Sequence, residues 1–460
     1  MSASPQRARR VLGVCAAVAL VLPTLAHAGA FEVVEQGAET AGVAHAGTAL
    51  TNSESAWFNP AALTDNGGFR LSIGATLAQS KITASGLPSS PLAPWTDHSD
   101  TPLGTPPYVY LSYSRSIVAA SVSANVPFGG GIHWPETWIG RYDAIESKPQ
   151  YFRVGAALAV KLGPVAIGGG FHADLGSLRI QKATDHVSED GHVTILLRSK
   201  GFGGDAYLLA HAGSHATIGA SYKSRTQLPM EGEADFDVPV PFEGAFPDQA
   251  VTSHWTLPDR MALGFAWTEA DWFVTTELGL TLWSVNQTLA LDFAEKVTDD
   301  VVQQNHWRDA LALRAGAGGH VGDLVTLRGG LYVDGLAGAP PPPDTLSPSS
   351  PDSTRLGLTA GLGVQAHRLV KLDAYVEPIV LLPRSATSAD ALEASYRGWA
   401  IAGGLGVTIG VPNAKARANH RVRGGEAELP PETAPAPAPA PTPVPTEPAP
   451  DPGPWTTPHR

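Results

Sequence analysis

Cysteine, charge and long hydrophobic runs are all scarce in this sequence. The only cysteine among 460 residues is Cys15, inside an N-terminal leader, so we expect neither disulfides nor cysteine-bound metal in the mature chain. Beyond the leader there is no run of about 18 apolar residues, which excludes a membrane-spanning helix. Charged residues make up 16% of the sequence, against about 25% in a typical soluble domain. The net charge of -12 argues against nucleic acid as a partner, because its phosphates require basic patches.

The leader has the three parts of an export signal. Three arginines give it a positive start, residues 11–25 are apolar, and residues 26–28 read Ala-His-Ala, a small-x-small cleavage site. We therefore predict a signal peptide at residues 1–28 and export of the mature chain across one membrane. Lipidation at Cys15 is disfavoured because Val14 stands where a small residue belongs.

Between residues 69 and 411 the chain repeats one pattern: a strand-like run, a short turn, a second run and a longer polar loop. The predicted strands are 69–83, 106–115, 117–127, 151–161, 164–181, 192–211, 215–230, 251–267, 271–291, 305–318, 322–335, 354–365, 369–383 and 396–410. An even number of strands with short and long connections in strict alternation is typical of outer-membrane barrels. A soluble β-sandwich, the alternative, has no reason to sort its loops by length.

Side-chain alternation favours the same fold. In KLDAYVE, Leu372 and Val376 share one face, while Asp373 and Glu377 share the other. The stretch LVTLRGGLYVD alternates in the same way. Apolar side chains facing out and polar ones facing in, at a period of two, are typical of a barrel in lipid. We therefore predict an all-β fold, a 14-stranded antiparallel transmembrane β-barrel over residues 69–411.

The two ends of the chain do not fit this pattern. Residues 29–68 lack sustained alternation and precede the first strand. From residue 412 to 460 the chain becomes Pro-rich and of low complexity, which predicts a disordered periplasmic tail with polyproline II character. A contact between this tail and the cell wall is one hypothesis, and a solvated spacer without a partner is the alternative.

The stretch GAFEVVEQGAETAGVAHAGTALTNSESAWFNPAALTD, residues 29–65, resembles the N-terminal hatch of the FadL-type outer-membrane transporters of long-chain fatty acids and aromatic hydrocarbons. The similarity continues in VPFGGGIHWPETWIGRYDA, in LPDRMALGFAW with WFVTTELGLTLWSV, and in LRGGLYVDG with SPSSPDSTRLGLTAGLGV. One departure is the C-terminus, because family members commonly end on the last strand with an aromatic residue that assists insertion. Here the last strand continues into the Pro-rich tail.

The resemblance implies that residues 29–68 fold as a hatch, or plug, inside the barrel. The turn Asn59-Pro60-Ala61 would lie at the inner constriction, where a stiff turn weakly bonded to the wall could shift as a gate. The alternative is an ordinary turn that only ends the plug. Trp57 and Phe58 would supply apolar wall for a ligand or, equally, pack the plug.

Other candidate residues lie outside the hatch. The aromatic residues Phe128, Trp134 and Trp138, with Tyr142, are expected in an external loop, where they could collect a hydrophobic ligand or lie at the lipid interface. For a carboxylate head group the candidates are Arg141, Arg153, Arg314 and Arg328, the last three by inward parity, although a paired lumen arginine is the simpler interpretation of each. Gly129, Gly130 and Gly131 could relax the third strand, and the resemblance suggests a kink there that opens laterally.

The predicted function is a passive channel for hydrophobic molecules, with long-chain fatty acids as the expected cargo and aromatic hydrocarbons as the alternative. A general porin, an outer-membrane lipid hydrolase and an adhesin-like surface protein are rivals from other classes. The 15 histidines are scattered, and neither a GxSxG nor an HExxH stretch occurs, so we predict no enzyme activity, catalytic residue, metal or cofactor. We expect a monomer whose partners are a hydrophobic small-molecule ligand, outer-membrane lipid and lipopolysaccharide.

Overall fold

The computed structural model describes residues 31–411, apart from 91, 93, 187–188, 296–297, 337–340 and 388–391. The predicted signal peptide and the Pro-rich tail lie outside the described residues. None of the helices in this part of the chain is long and apolar enough to cross a membrane.

The described residues form short helices followed by twenty strand segments. The helices are α1 (Ala38–Ala41), α2 (Ser55–Phe58) and three 3-10 helices, Pro60–Asp65, Val240–Phe242 and Trp283–Val285. The strands are β1 (Gly68–Gly86), β2 (Thr96–His98), β3 (Pro107–Arg115), β4 (Val118–Phe128), β5 (Ile132–His133), β6 (Glu146–Leu162), β7 (Val165–Asp185), β8 (Asp190–Ala212), β9 (Ala216–Lys223), β10 (Thr226–Asp237), β11 (Gln249–Leu257), β12 (Arg260–Thr268), β13 (Trp272–Thr281), β14 (Thr288–Phe293), β15 (Val301–Gln304), β16 (Ala310–Val321), β17 (Val325–Asp334), β18 (Arg355–His367), β19 (Val370–Ser385) and β20 (Ala394–Val411).

These segments build a closed antiparallel barrel of 14 wall strands. Four wall strands consist of two successive segments each, namely β9 with β10, β11 with β12, β13 with β14, and β15 with β16. The short β2 and β5 pair with β1 and β6 in the loops. The last strand, β20, pairs with β1 from Phe69↔Val411 to Gly86↔Ala394 and closes the sheet. Each of the 14 predicted runs coincides with one wall strand, so the predicted fold is confirmed.

Side chains alternate between lumen and outer surface as predicted along the lower part of the wall, towards the short turns. In β3, Tyr108 and Tyr110 are buried in the lumen, while Val109 and Leu111 are exposed on the outside. In β19, Asp373, Tyr375 and Glu377 face inward and Leu372 and Val376 outward. Because the outer face of this region carries apolar side chains, it is the part that contacts lipid.

The alternation inverts in the upper segments, on the side of the long loops. In β11 the inward residues include Val251, Trp255 and Leu257, while Thr252 and His254 are exposed on the outer face. A strand with a polar outer face does not belong in hydrocarbon, so these segments extend above the membrane. The alternation described for β17 and β19 therefore does not extend to these upper segments. The breaks between β9 and β10 and between β11 and β12 mark the level at which the pattern changes.

The connections between wall strands are short at one end of the barrel and mostly longer at the other, as predicted, although one predicted long loop is shorter than expected. The turns that follow β3, β6, β8, β12, β16 and β18 contain two or three residues and lie at one end. Most connections at the other end are longer. The loop predicted at residues 182–191 shrinks to residues 186–189, because β7 and β8 continue to pair as far as Asp185↔Asp190.

Candidate functional site

Residues 31–66 lie inside the barrel and contact wall strands on opposite sides of it. The backbone N–H of Ala38 donates to the Tyr108 hydroxyl of β3 at 3.0 Å, and Thr275 of β13 donates to the carbonyl of Ala46 at 2.9 Å. At the end of the segment, Asp65 forms ion pairs with Lys161 and His211, which flank two short turns. The segment therefore reaches the short-turn end of the lumen.

The Asn-Pro-Ala turn connects α2 to the 3-10 helix Pro60–Asp65. The Asn59 side chain is fully buried, and its Oδ1 accepts from the N–H of Ala61 at 3.2 Å. Its Nδ2 donates to the carbonyls of Thr48 at 2.8 Å and of Leu208 in β8 at 2.9 Å. Pro60 opens the helix, where its missing N–H costs nothing. The expectation of a turn weakly bonded to the wall is corrected, because the Asn59 amide supplies the bond that proline cannot.

Trp57 and Phe58 both pack the segment and border a cavity. The Lys223 ammonium lies 4.6 Å from the centre of a Trp57 ring, and the Arg260 guanidinium carbon lies 5.5 Å from it. Phe58 lies so close to Gly47 that a Cβ there would come within 2.7 Å of the ring. The cavity between the segment and β9, β12, β13 and β16 has a volume of about 40 Å³. This is room for a water or a small head group, and a whole ligand needs several hundred Å³.

Lys223 is a lumen cation that the sequence reasoning missed. It lies on β9 at an inward position, and its ammonium also lies 5.4 Å from the centre of the Tyr207 ring. Among the described residues no carboxylate forms an ion pair with it, since the nearby Asp205 and Glu277 contact His172 and Arg314 instead. Inward parity was the available signal, because Ser221 and Lys223 face the lumen while Tyr222 faces out.

The predicted arginines are all paired with carboxylates. Arg153 makes two hydrogen bonds to Asp174, at 2.7 and 2.8 Å, deep in the lumen. Arg314 donates to Glu277 at 3.0 Å, and Arg328 donates to Asp373 at 2.9 Å and to Glu39 at 3.1 Å. Arg141 lies outside the lumen, in the loops, where it donates to Asp190 at 2.6 Å. Parity placed the three lumen arginines correctly, but their charges are already compensated.

A buried carboxyl pair in the segment joins this network. Glu54 accepts hydrogen bonds from the backbone N–H groups of Glu39 and Thr40, and Lys371 lies 2.5 Å from Glu39. Burial, helped by the Glu39 charge, raises the pKa of Glu54 to about 7. Burial acts in the same direction on Glu39, but Lys371 and Arg328 hold its pKa at about 2. The two carboxyls are thus set for different protonation states.

The external aromatic surface does not form as predicted. Trp134 and Trp138 stack on each other at 4.4 Å between ring centres and are buried beneath the long loops. Their indole N–H groups donate to the carbonyls of Pro348 and Ala144. Phe128 lies apart from them, fully buried at the end of β4 with its ring 5.7 Å from Trp283. The sequence placed them together because they are neighbours along the chain, whereas the sheet turns Phe128 into the lumen.

The three glycines lie where the third wall strand is interrupted. β4 ends just before Gly129 and β5 begins just after Gly131, with φ angles of 95° at Gly130 and 132° at Gly131. The N-terminal segment pairs with the strand at this point. The N–H of Gly129 donates to the carbonyl of Phe31 at 2.9 Å, and that of Val33 to Pro127 at 3.0 Å. A lateral opening at this interruption stays a prediction.

An apolar cluster in the upper lumen was also missed. Trp307 makes edge-to-face contacts with both Trp255 and Trp283. Phe128 packs against Trp283 and Phe31 against Trp307. Buried aliphatic side chains of β8, β10, β11 and β14 surround them. The signal was present as apolar residues at inward positions, but an apolar-out barrel rule assigns such residues to lipid.

No group of three or more His, Cys, Asp or Glu side chains in the described ranges is arranged to hold a metal ion. The lumen therefore offers three kinds of surface along its length. They are an apolar upper cluster, a narrow cavity lined by charged side chains that include the Lys223 ammonium, and a bonded N-terminal segment at the short-turn end.

Solved structures share this architecture. A FadL homologue from Pseudomonas aeruginosa matches with a TM-score of 0.74 and 17% identity, covering 83% of this chain and 99% of its own. The Pseudomonas putida toluene transporter TodX matches with a TM-score of 0.67, 14% identity and coverage of 82% and 99%. The Ralstonia pickettii toluene transporter TbuX matches with a TM-score of 0.63 and 16% identity, covering 81% of this chain and 98% of its own. These likenesses show the fold.

Family membership comes from the sequence. No curated protein sequence matches the chain. The family model of the outer membrane protein transport proteins (OMPP1/FadL/TodX) matches residues 19–399, most of the chain. This chain belongs to the OMPP1/FadL/TodX family, whose members are monomeric outer-membrane β-barrel channels for hydrophobic compounds.

Proposed function

We propose that this channel takes up long-chain fatty acids passively, with residues 31–66 as its hatch. The support for a long apolar cargo is the upper lumen, where the tryptophan cluster offers an apolar surface behind the long loops. Each buried methylene contributes about 0.8 kcal/mol, so a long acyl chain gains on the order of 10 kcal/mol there. Capture of such a ligand needs no catalysis and no coupled energy source. A lumen occupied by a bonded segment argues against a general porin.

The observation that carries the choice of a fatty acid is Lys223. The Arg260 guanidinium carbon lies 5.7 Å from the Phe128 ring and 5.5 Å from the Trp57 ring, so the apolar cluster continues into the cavity beside Lys223. A carboxylate head group entering this cavity meets the Lys223 ammonium, which forms no ion pair with a described carboxylate, whereas the predicted arginines are already paired. TodX and TbuX are toluene transporters, and toluene carries no charge that would use this ammonium.

The hatch and the interruption at Gly129–Gly131 complete the proposal. The segment begins beside this interruption, where it replaces wall pairing, and ends at the short-turn rim. Displacing Phe31 and Val33 would break two backbone hydrogen bonds and leave the third strand unpaired at its glycines. We propose that this point is where cargo leaves the barrel sideways.

The test is uptake of a labelled long-chain fatty acid and of labelled toluene by cells expressing Lys223→Met, Lys223→Arg or wild type. Fatty acid uptake should exceed the empty-vector control, fall in Lys223→Met and persist in Lys223→Arg, while toluene uptake is equal in both variants. Lys81→Met, which changes an exposed lysine of β1, is the matched control. Equal fatty acid uptake by Lys223→Met and wild type would refute the head-group role. Toluene uptake without fatty acid uptake would assign the chain to aromatic hydrocarbons.

A further inference from the structure

Five inward-facing glycines on neighbouring wall strands touch the N-terminal segment directly. They are Gly219 of β9, Gly264 of β12, Gly316 of β16, Gly330 of β17 and Gly361 of β18, and we call them the glycine shelf. Two pairs of them are direct cross-strand partners, Gly219 with Gly264 and Gly316 with Gly330. The shelf therefore follows one level of the wall in two groups, on β9 and β12 and on β16, β17 and β18, with β13 between them.

The shelf positions have no room for a side chain because backbone of the segment occupies it. A Cβ at Gly219 would meet the carbonyl oxygen of Thr48 at 2.0 Å, and one at Gly361 would meet the Cα of Gly42 at 2.7 Å. Contacts below 3.0 Å force something to move, and here the neighbour is backbone, which cannot rotate away. The fit is therefore between two main chains.

The contact of Gly330 with Ala44 shows how close the fit is. A Cβ at Gly330 would lie 2.8 Å from the Cβ of Ala44 and equally close to its nitrogen. Ala44 has a φ of 57°, an uncommon conformation for a residue with a side chain. By contrast, Gly329 points outward from the same strand, and its nearest neighbour would be 3.7 Å away, an ordinary contact.

Polar side chains of the wall form hydrogen bonds with the backbone of the segment between the glycine contacts. Thr359 accepts from the N–H of Ala44 at 3.1 Å, and Thr217 donates to the carbonyl of Ala49 at 2.8 Å. The N–H of Thr48 donates to Glu277 at 2.9 Å. Backbone groups that would otherwise bind water are thus satisfied by the wall, so the contact needs no water layer.

We propose that the glycine shelf seats residues 42–49 so that this side of the lumen is sealed against ions. The wall lacks side chains where the segment backbone approaches and supplies hydrogen-bonding groups where that backbone needs partners. Neither ions nor water have a path between two main chains in van der Waals contact. The inference concerns the barrier and does not depend on which hydrophobic cargo the channel carries.

The experiment measures ion conductance of purified protein in planar lipid bilayers for Gly330→Val, Gly219→Val and the matched control Gly329→Val. Wild type and Gly329→Val should be silent, while the two shelf variants show discrete conductance steps. Ala44→Leu enlarges the segment instead of the wall, so it tests the same contact without altering any strand. Resistance of the folded barrel to sodium dodecyl sulfate at room temperature shows that each variant is folded.

A compensating second substitution distinguishes a lost fit between the wall and the segment from general damage to the barrel. Gly330→Ala should conduct, and adding Ala44→Gly should lower that conductance only in part. The second change removes the Ala44 Cβ, but the Ala44 nitrogen and the Ala315 carbonyl oxygen stay 2.8 and 2.9 Å from the new Cβ. Silent Gly330→Val and Ala44→Leu in folded barrels would overturn the proposal. Conductance of wild type or of Gly329→Val equal to that of Gly330→Val would overturn it as well.

Discussion

Replacing Asn59 with alanine should release the N-terminal segment, residues 31–66, from the barrel wall without unfolding the barrel. The substitution removes three buried hydrogen bonds, one to Ala61 within the turn, one to Thr48 in the segment and one to Leu208 in the wall. Each contributes about 1 kcal/mol net, so the segment should lose about 3 kcal/mol of local stability. Every 1.4 kcal/mol is tenfold in population, so the released state should be populated about 100-fold more.

Cysteine labelling measures that population. The chain has no cysteine after Cys15, so a single cysteine at Ala62, which is fully buried in the 3-10 helix, reacts with a maleimide only when the segment opens. The labelling rate in Asn59→Ala should exceed that in wild type by about 100-fold, in line with the population change. Strand content by circular dichroism should stay the same, because none of the three bonds belongs to the β ladder.

Two variants control for this result. Asn66→Ala removes one bond, from its amide to the carbonyl of Asn52, and leaves the wall contact intact, so its labelling rate should rise only about fivefold. Asn59→Asp keeps the acceptor for Ala61 but turns oxygens towards the Thr48 and Leu208 carbonyls, so it should label at least as fast as Asn59→Ala. If Asn59→Ala labels at the wild-type rate, the bonds of Asn59 do not hold the segment and the reasoning fails.

Two further predictions concern buried charge. Asp174→Asn leaves the Arg153 guanidinium buried without its counter-charge, which should lower the free energy of unfolding in urea, measured in lipid vesicles, by about 3–5 kcal/mol. The double variant Arg153→Met with Asp174→Leu should recover most of this loss. A small loss in the single variant would contradict the prediction. The pKa of Glu54 is raised from 4.5 to about 7, so between these pH values the folded state keeps a proton that the unfolded state loses. The stability of the wild type should therefore fall as the pH rises from 4.5 to 7 and then level off. Glu54→Gln should lack this decline between pH 5 and 8, and parallel pH curves for the two proteins would show that Glu54 stays ionised.

The strands and the position of the third-strand interruption could be predicted from local sequence. Alternation at a period of two and the sorting of loops by length depend only on neighbours along the chain, and both follow from lipid outside and a lumen inside. Inward parity correctly placed Arg153, Arg314 and Arg328 for the same reason. The family resemblance added the hatch and the Asn-Pro-Ala turn, whose wall bond through Asn59 was not expected.

Contacts between distant parts of the chain could not be predicted in this way. Parity says that Arg328 faces inward, but not that Asp373 and Glu39 neutralise it from another strand and from the segment. Likewise Lys223 differs from the arginines because no carboxylate among the described residues lies within ion-pair distance of its ammonium. Phe128 and Trp134 are six residues apart, yet one faces the lumen and the other lies under the loops.

The sequence by itself determined a barrel of 14 strands with a separate segment before it, because hydrophobic periodicity is a local response to lipid and water. Only the tertiary structure decided what the lumen is. It inverted the alternation above the membrane, gathered three tryptophans from three wall strands, and brought five glycines to one level beneath residues 42–49. The physical reason is that closure of the sheet sets which residues share a level of the wall, and sequence separation carries no information about that level.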